Sequence, residues 1–423
     1  MADQGNVFSF DAAKAQYEVL FLQEDKTLPA VKALCGGFKN SGIRGLVWKV
    51  LLGLLPSGDE SNWKEIISAK RAAYVELSAR HIIKQADLVA HDGDPLDDNP
   101  LMQNEDSVWT KYFAQQEIEK EIQKDLERIF PEFEFFQQPA IQEVMLRVLL
   151  VWSKLNPDVS YRQGMHELLG PLLMTLVNSS FKADEAQLSH PIAVLCSADD
   201  VEADSYLLFE IMMHKMKDMF AVVGSVKSLP GQPPIDYRYR APHSCKFKIP
   251  FSIPSLTRPA PHTVDPPPLT TADCSPCCAC RAESTTLFCV QKILNSTRIF
   301  KIALLNRSCE SRSALREIEN SDVCLRFLLK WIRLMFGRNF HLDDVVILWD
   351  AIFAQVFTTG SWMEMIELLS VSMIMYIRGD LLQKQGHQAL QRLMKCVCEM
   401  PSSHHYTTPA LILAVSDSRQ LSP

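Results

Sequence analysis

Apolar residues recur along this chain at steps of three and four. In residues 42–55, Ile43, Leu46, Val47, Val50, Leu51 and Leu54 share one broad face and Pro56 closes the run. Residues 63–82 repeat the pattern from Trp63, and the acidic, polar stretch 91–107 reads as a loop. Ile118, Ile122, Leu126 and Ile129 then mark a helix stopped by Pro131. Asp125 and Arg128 lie three apart on it, where side chains meet on a helix surface. Residues 140–155 are strongly periodic and end in the turn "NPDVS". Residues 161–177 begin a helix directly after that turn, with Gly170-Pro171 predicted to kink it rather than end it. Helical patterns follow at 200–220, 325–354 and 362–382, where Trp331, Trp349 and the Met-rich "SMIMY" read as core. No window alternates with period two between hairpin turns. The pattern predicts an all-α domain.

One region breaks the rhythm. Half of the 24 prolines lie between Pro230 and Pro276, in a stretch rich in Ser and Thr. Too few periodic apolar residues remain there to offset the entropy of ordering, so it is expected to be disordered. The patterned piece "LFCVQKILNS" follows, then a less regular stretch to Asp322. The organisation expected is an N-terminal segment (1–29), a helical part (30–223), a Pro/Ser/Thr-rich insertion (224–284), a second helical part (285–395) and a poorly ordered tail (396–423).

A chain of 423 residues with 47% hydrophobic residues can bury a large core. A net charge of -7 gives no overall footprint for nucleic acid. The N-terminus has no signal or transit character, and no apolar run reaches the roughly 18 residues that span a bilayer. Twelve cysteines in so long a chain do not make a disulfide scaffold; Cys196, Cys324 and Cys396 lie among apolar residues, which suits a reduced, cytoplasmic protein. "CSPCCAC", Cys274 to Cys280, holds a C-x-x-C pair, but Cys245, His262 and Cys289 do not complete a zinc spacing. No phosphate loop, nucleophile elbow or metalloprotease helix appears.

Three short stretches in order carry the chemistry: "GIRGLVW" with Arg44 and Trp48, "IQKDLER" with Asp125 and Arg128, and "YRQGM", Tyr161 to Met165. This ordered set, with Arg128 and Gln163 35 residues apart (163 − 128) and "LKWIRLMFGRNFHLDDVVILWDAIFA" following, resembles the TBC domain of Rab GTPase-activating proteins. "NPLMQNEDSVWTKYF" and "SYRQGMHELLGPLL" look closest to the member-5-like subgroup, linked to endosomal trafficking.

The resemblance implies a multi-helix TBC domain interrupted by the Pro-rich insertion. It implies an arginine finger at Arg128 and a water-positioning glutamine at Gln163, both lent to a Rab-family GTPase. Asp125 would orient the guanidinium. Tyr161 and Gly164 would be structural, the small Gly164 permitting close approach of a partner backbone. Arg44 and Trp48 would form a cation–π or packing pair, with Arg44 also able to meet the GTPase. No cofactor of its own is implied, since GTP and Mg travel with the partner. Endosomal coat or retromer components are possible further partners, and membrane contact would be indirect, through the lipid-anchored GTPase at endosomal or other vesicle membranes.

Taken without the resemblance, Arg128 is a surface partner of Asp125 worth a few tenths of a kcal/mol, and Gln163 an ordinary helix-start residue. Two other readings stand beside the activator. One is a non-catalytic TBC-fold scaffold binding a Rab or a coat; the other, a helical-repeat adaptor, calls for an internal period that the sequence lacks. Residues 297–322 do not resemble the family, so a functional insertion and a mis-spliced gene model are both open origins for the block. In either case the C-terminal helices are expected to dock poorly if it replaces a family helix.

Overall fold

The computed structural model describes residues 8–38, 41–89, 107–221 and 331–362, with isolated positions between 365 and 391. The proline-rich block, "LFCVQKILNS", "SMIMY", the cysteine cluster, the tail and all but Ser107 of the acidic stretch 91–107 lie outside them. The described residues include the α-helices α1 Phe10–Phe21, α2 Leu28–Leu34, α3 Arg44–Leu51, α4 Trp63–His81, α5 Gln85–Val89, α6 Val108–Leu126, α7 Glu134–Gln137, α8 Pro139–Leu155, α9 Met165–Asn178, α10 Pro191–Leu195, α11 Val201–Ala221 and α12 Leu342–Thr359. The described residues hold no strand, only a single parallel bridge between Phe181 and Ser197. No helix among them is long and apolar enough to cross a membrane.

Local chemistry sets where these helices start and stop. Ser9 and Ser107 cap α1 and α6 by accepting from the backbone N–H groups of Ala12 and Trp109. Pro139 and Pro191 open α8 and α10 at the first turn, where the missing N–H has no helical partner to lose. Gly360, in the left-handed region, closes α12.

Helix α9 is the centre. Its residues from Met165 through Leu176 are all buried, as expected of a helix that is apolar nearly all round. It runs unbroken past Pro171 to Asn178, so Gly170-Pro171 does not end it. Helices α3, α6, α8, α11 and α12 pack around it. Helix α1, within the segment 1–29, also joins the core: Tyr17 and Phe21 are buried and both rings meet Trp63 edge-on. Helix α2 straddles the expected boundary at residue 30.

Two buried polar junctions tie distant elements together. Asp204 on α11 accepts from Lys49 of α3 at 2.5 Å and from Arg71 of α4 at 2.8 and 2.7 Å. Lys49 and Arg71 also donate to the carbonyls of Leu195 and Val194, so the charges enter the core with their hydrogen-bonding groups engaged. The second junction crosses the undescribed block. The Trp48 indole N–H donates to Asp350 Oδ1 at 2.7 Å, and Arg44 Nε faces Asp350 Oδ2 at 3.3 Å.

The second junction corrects the expected Arg44–Trp48 pairing. Trp48 is fully buried and its ring packs edge-on against Phe353 at 5.1 Å, beside Trp349. Arg44, its side chain only 13% exposed, is turned inward to Asp350 rather than toward a partner. Two residues one helical turn apart thus share a third, from α12, because a buried indole N–H needs an acceptor and a buried guanidinium a counter-charge. Among the C-terminal residues described, α12 is docked: Val345 through Ala354 are all buried, and the helix packs against α2, α3 and α9.

Burial outweighs pairing at this junction. It pushes the Asp350 carboxyl up to about 7 against the pull of Arg44 and Trp48, and it holds Arg44 below its ordinary value. An unfolded aspartate titrates near 3.8, so the folded chain holds this proton more tightly between pH 4 and 7. The contribution to stability is therefore complete at the acid end and is lost as pH rises through 7, a decline of up to about 4 kcal/mol. Asp350→Asn, which keeps an acceptor for Trp48, is expected to remove this part of the pH slope in urea unfolding. Identical slopes in both proteins would contradict it.

Candidate functional site

The sequence-predicted residues Asp125, Arg128, Tyr161, Gln163 and Gly164 gather at the end of α6 and the start of α9. Helix α6 ends at Leu126, sooner than Pro131 suggests, so Arg128 lies in the turn beyond it rather than on the helix. The cause is local: the backbone N–H groups of Arg128 and Ile129 bond three residues back, to Asp125 and Leu126, tightening the chain. Leu126 and Ile129 bury on the inner side of this turn, while Arg128 projects outward with its side chain 68% exposed.

The guanidinium is held at its base. Arg128 Nη2 donates to Asp125 Oδ1 at 2.8 Å and Nε donates to the Lys124 carbonyl at 3.0 Å. Asp125 is itself buried, and its second oxygen accepts the Tyr161 hydroxyl at 2.8 Å. One carboxylate thereby joins the segment bearing Arg128 to the segment bearing Gln163. Burial, then the bond to Asp125, pushes the Tyr161 phenol far above its usual value, so it remains a donor. His166 Nδ1 meets the same hydroxyl at 2.8 Å. With the phenolic proton committed to Asp125, Nδ1–H must be the donor in that contact. Burial keeps His166 below its ordinary value, although Glu167 and Asp125 pull the other way.

Gln163 is exposed, in the turn just before α9. Gly164 holds φ at +103°, a conformation side chains resist, and a Cβ there would sit 2.9 Å from Leu334 Cδ2. The close approach that the small residue permits comes from within the chain. Gly170, six residues further along, likewise admits Phe130 and Ile129, which a Cβ would meet at 3.0 and 3.2 Å.

Residues beyond position 330 complete the site, and the sequence reading missed them. Residues 331–333 form one helical turn and the chain then turns repeatedly to Phe340, with Met335 and Phe336 in the left-handed region. Arg333 Nη2 donates to the Gln163 carbonyl at 3.1 Å, with its guanidinium over the Phe220 ring at 4.2 Å. Arg338 pairs with Glu167 side-on, one guanidinium edge (Nε and Nη2) donating to both carboxylate oxygens. "YRQGMHE" contains His166 and Glu167, but nothing in a lone sequence joins Glu167 to Arg338, 171 positions on.

The family model for the Rab-GTPase-TBC domain matches residues 41–223. Over that span the chain resembles a Rab-GTPase-TBC domain. Human TBC1 domain family member 5 is 28% identical over 391 residues, covering 91% of this chain and 43% of that protein. TBC1 domain family member 5 homolog B of Dictyostelium discoideum is 30% identical over 425 residues, covering 88% of this chain and 40% of the relative. The chain thus spans about two fifths of the length of these curated relatives. In fold it is similar to the crystal structure of the Ypt/Rab-GAP domain of Gyp1p, with a TM-score of 0.57, 14% identity and coverage of 98% of this chain and 99% of that one. The all-α expectation and the TBC resemblance both hold. The matched residues 41–223 include both Arg128 and Gln163, and contacts within the fold bring Arg333 and Arg338 to the start of α9 from beyond that span.

Gly164→Ala is expected to cost about 1–3 kcal/mol, since it combines backbone strain with the Leu334 contact. Urea unfolding reads this directly, and an unchanged midpoint would contradict the assigned conformation.

Proposed function

We propose that this chain accelerates GTP hydrolysis by a Rab-family small GTPase, lending Arg128 as an arginine finger and Gln163 as a glutamine finger. The observation that carries the reading is the shared carboxylate: Asp125 binds Arg128 directly and reaches the Gln163 segment through Tyr161, while both candidate fingers stay exposed. The TBC domain match and the likeness to a Ypt/Rab-GAP domain support the same class of activity.

The chemistry suits the residues. Hydrolysis builds charge on the transferring phosphoryl group and needs a water aligned for in-line attack. A guanidinium is permanently charged and its planar fork can reach two oxygens, while a neutral amide can accept from the water and donate to phosphate. Asp125 and the Lys124 carbonyl fix the base of Arg128, so less side-chain freedom is lost when the partner arrives. In this reading GTP and Mg belong to the partner, the chain turns over no substrate of its own, and it reaches endosomal or other vesicle membranes through the GTPase's lipid anchor.

Single-turnover hydrolysis across a panel of GTP-loaded Rab proteins tests it. The intact chain should strongly accelerate one or a few of them. Arg128→Ala should lose roughly 10³ to 10⁵ of that acceleration, on the order of 4–7 kcal/mol of transition-state stabilisation, and Gln163→Ala should also be severely impaired. A folded chain that binds a Rab without accelerating hydrolysis would instead make it a scaffold.

A further inference from the structure

Four guanidinium groups surround the start of α9, those of Arg128, Arg162, Arg333 and Arg338, against two carboxylates, Asp125 and Glu167. Asp125 is occupied by Arg128 and Tyr161, and Glu167 by Arg338. Neither Arg162 nor Arg333 has a carboxylate hydrogen-bonded to it among the described residues. The Nε atoms of both are buried without a hydrogen-bond partner. Arg333 is also immobilised, stacked on Phe220 and bonded to the Gln163 carbonyl, the residue next to Arg162. Burial first, then the neighbouring Arg162 charge, hold the Arg333 guanidinium below its ordinary value, with Glu167 only partly opposing.

A chain of net charge -7 therefore keeps two like charges together, incompletely paired, beside the loop that presents Gln163. Neither the core nor the support of Arg128 requires Arg162. Such a pair carries unspent attraction for an anion. Arg333 cannot reach far, because its stem is half-buried and its guanidinium is pinned, so the anion must come to it on the facing surface. We propose that Arg162 and Arg333 form a carboxylate-reading pair that takes an acidic side chain from the surface of the partner GTPase and so helps select which one is served. This rests on the activator reading above. A carboxylate fits because one group offers two oxygens to two forks at once, and a basic side chain at the same point on another GTPase would be repelled.

The test titrates the chain against the Rab that responds best in the panel, by single-turnover hydrolysis at low and high salt. Arg162→Glu should raise the half-saturating concentration by about tenfold or more, far more than it lowers the maximal rate, and should flatten its salt dependence. Arg162→Lys should fall between Arg162→Glu and the intact chain. Arg162→Ala, which adds no repulsion, covers the case in which the reversed charge fails to fold and should show a smaller rise of the same kind. If Arg162→Glu and Arg162→Ala saturate like the intact chain while Arg128→Ala is inactive, the carboxylate pair is overturned and the activator reading stands. If the intact chain accelerates no Rab, the activator reading fails and this inference fails with it.

Discussion

Asp350 accepts the Trp48 indole N–H, faces the Arg44 guanidinium and is itself entirely buried, 302 positions from Trp48. This junction ties α12, which follows the residues beyond 330 at the site, to α3. Helix α12 lies against α2, α3 and α9, and the turns just before it bring Arg333, Leu334 and Arg338 to the start of α9. Isolated buried charge pairs add little net stability, because desolvation consumes most of their attraction. Their worth here is in specificity: an indole N–H and a guanidinium in the core accept few substitutes for a carboxylate at that point. The α3–α12 register is fixed by that need, and the Trp48–Phe353 and Trp48–Trp349 ring contacts consolidate it.

The candidate site follows from the same economy of buried acceptors. Asp125 serves Arg128 with one oxygen and Tyr161 with the other, and the Tyr161 oxygen in turn accepts a hydrogen bond from His166 Nδ1–H. Glu167, the next residue, takes Arg338. A line of polar contacts therefore runs from the exposed guanidinium, through the first turn of α9, to a segment far along the chain. Arg128 is anchored by short-range contacts and exposed beyond them, the arrangement a group needs if it is to be presented to another protein. Gln163 is shaped differently: its backbone is fixed by Gly164 and by the Arg333 contact to its carbonyl, while its side chain stays in solvent.

Much of this was legible in the sequence because helices announce themselves by period. The buried face of α3 and the course of α9 through Pro171 follow from spacing alone, and the order of "IQKDLER" and "YRQGM" leads to residues that the fold gathers. The failures share one cause. Arg44 and Trp48 looked like partners because they are one turn apart, but both face Asp350, which accepts from the indole and offers the guanidinium a counter-charge, and no local rule finds it. The early end of α6 at Leu126 depends on burying Leu126 and Ile129 on one side of a tight turn, a tertiary demand invisible in the helical period. Arg333 and Arg338 read as polar positions in an apolar helix pattern until the contacts to Gln163 and Glu167 give them roles. Local chemistry is written locally; the long-range acceptors are not.

The central claim is that Arg128 and Gln163 act on the transition state of a partner's GTP hydrolysis. Its most direct measurement is the affinity of the chain for a responsive Rab loaded with GDP, with a non-hydrolysable GTP analogue, and with GDP plus aluminium fluoride, which mimics the transferring phosphoryl group. A group that stabilises the transition state binds its mimic far more tightly than either ground state. The account predicts a tight complex only with aluminium fluoride, lost in Arg128→Ala and in Gln163→Ala. Equal affinity for the aluminium fluoride and GTP-analogue forms, unchanged by either substitution, would contradict it.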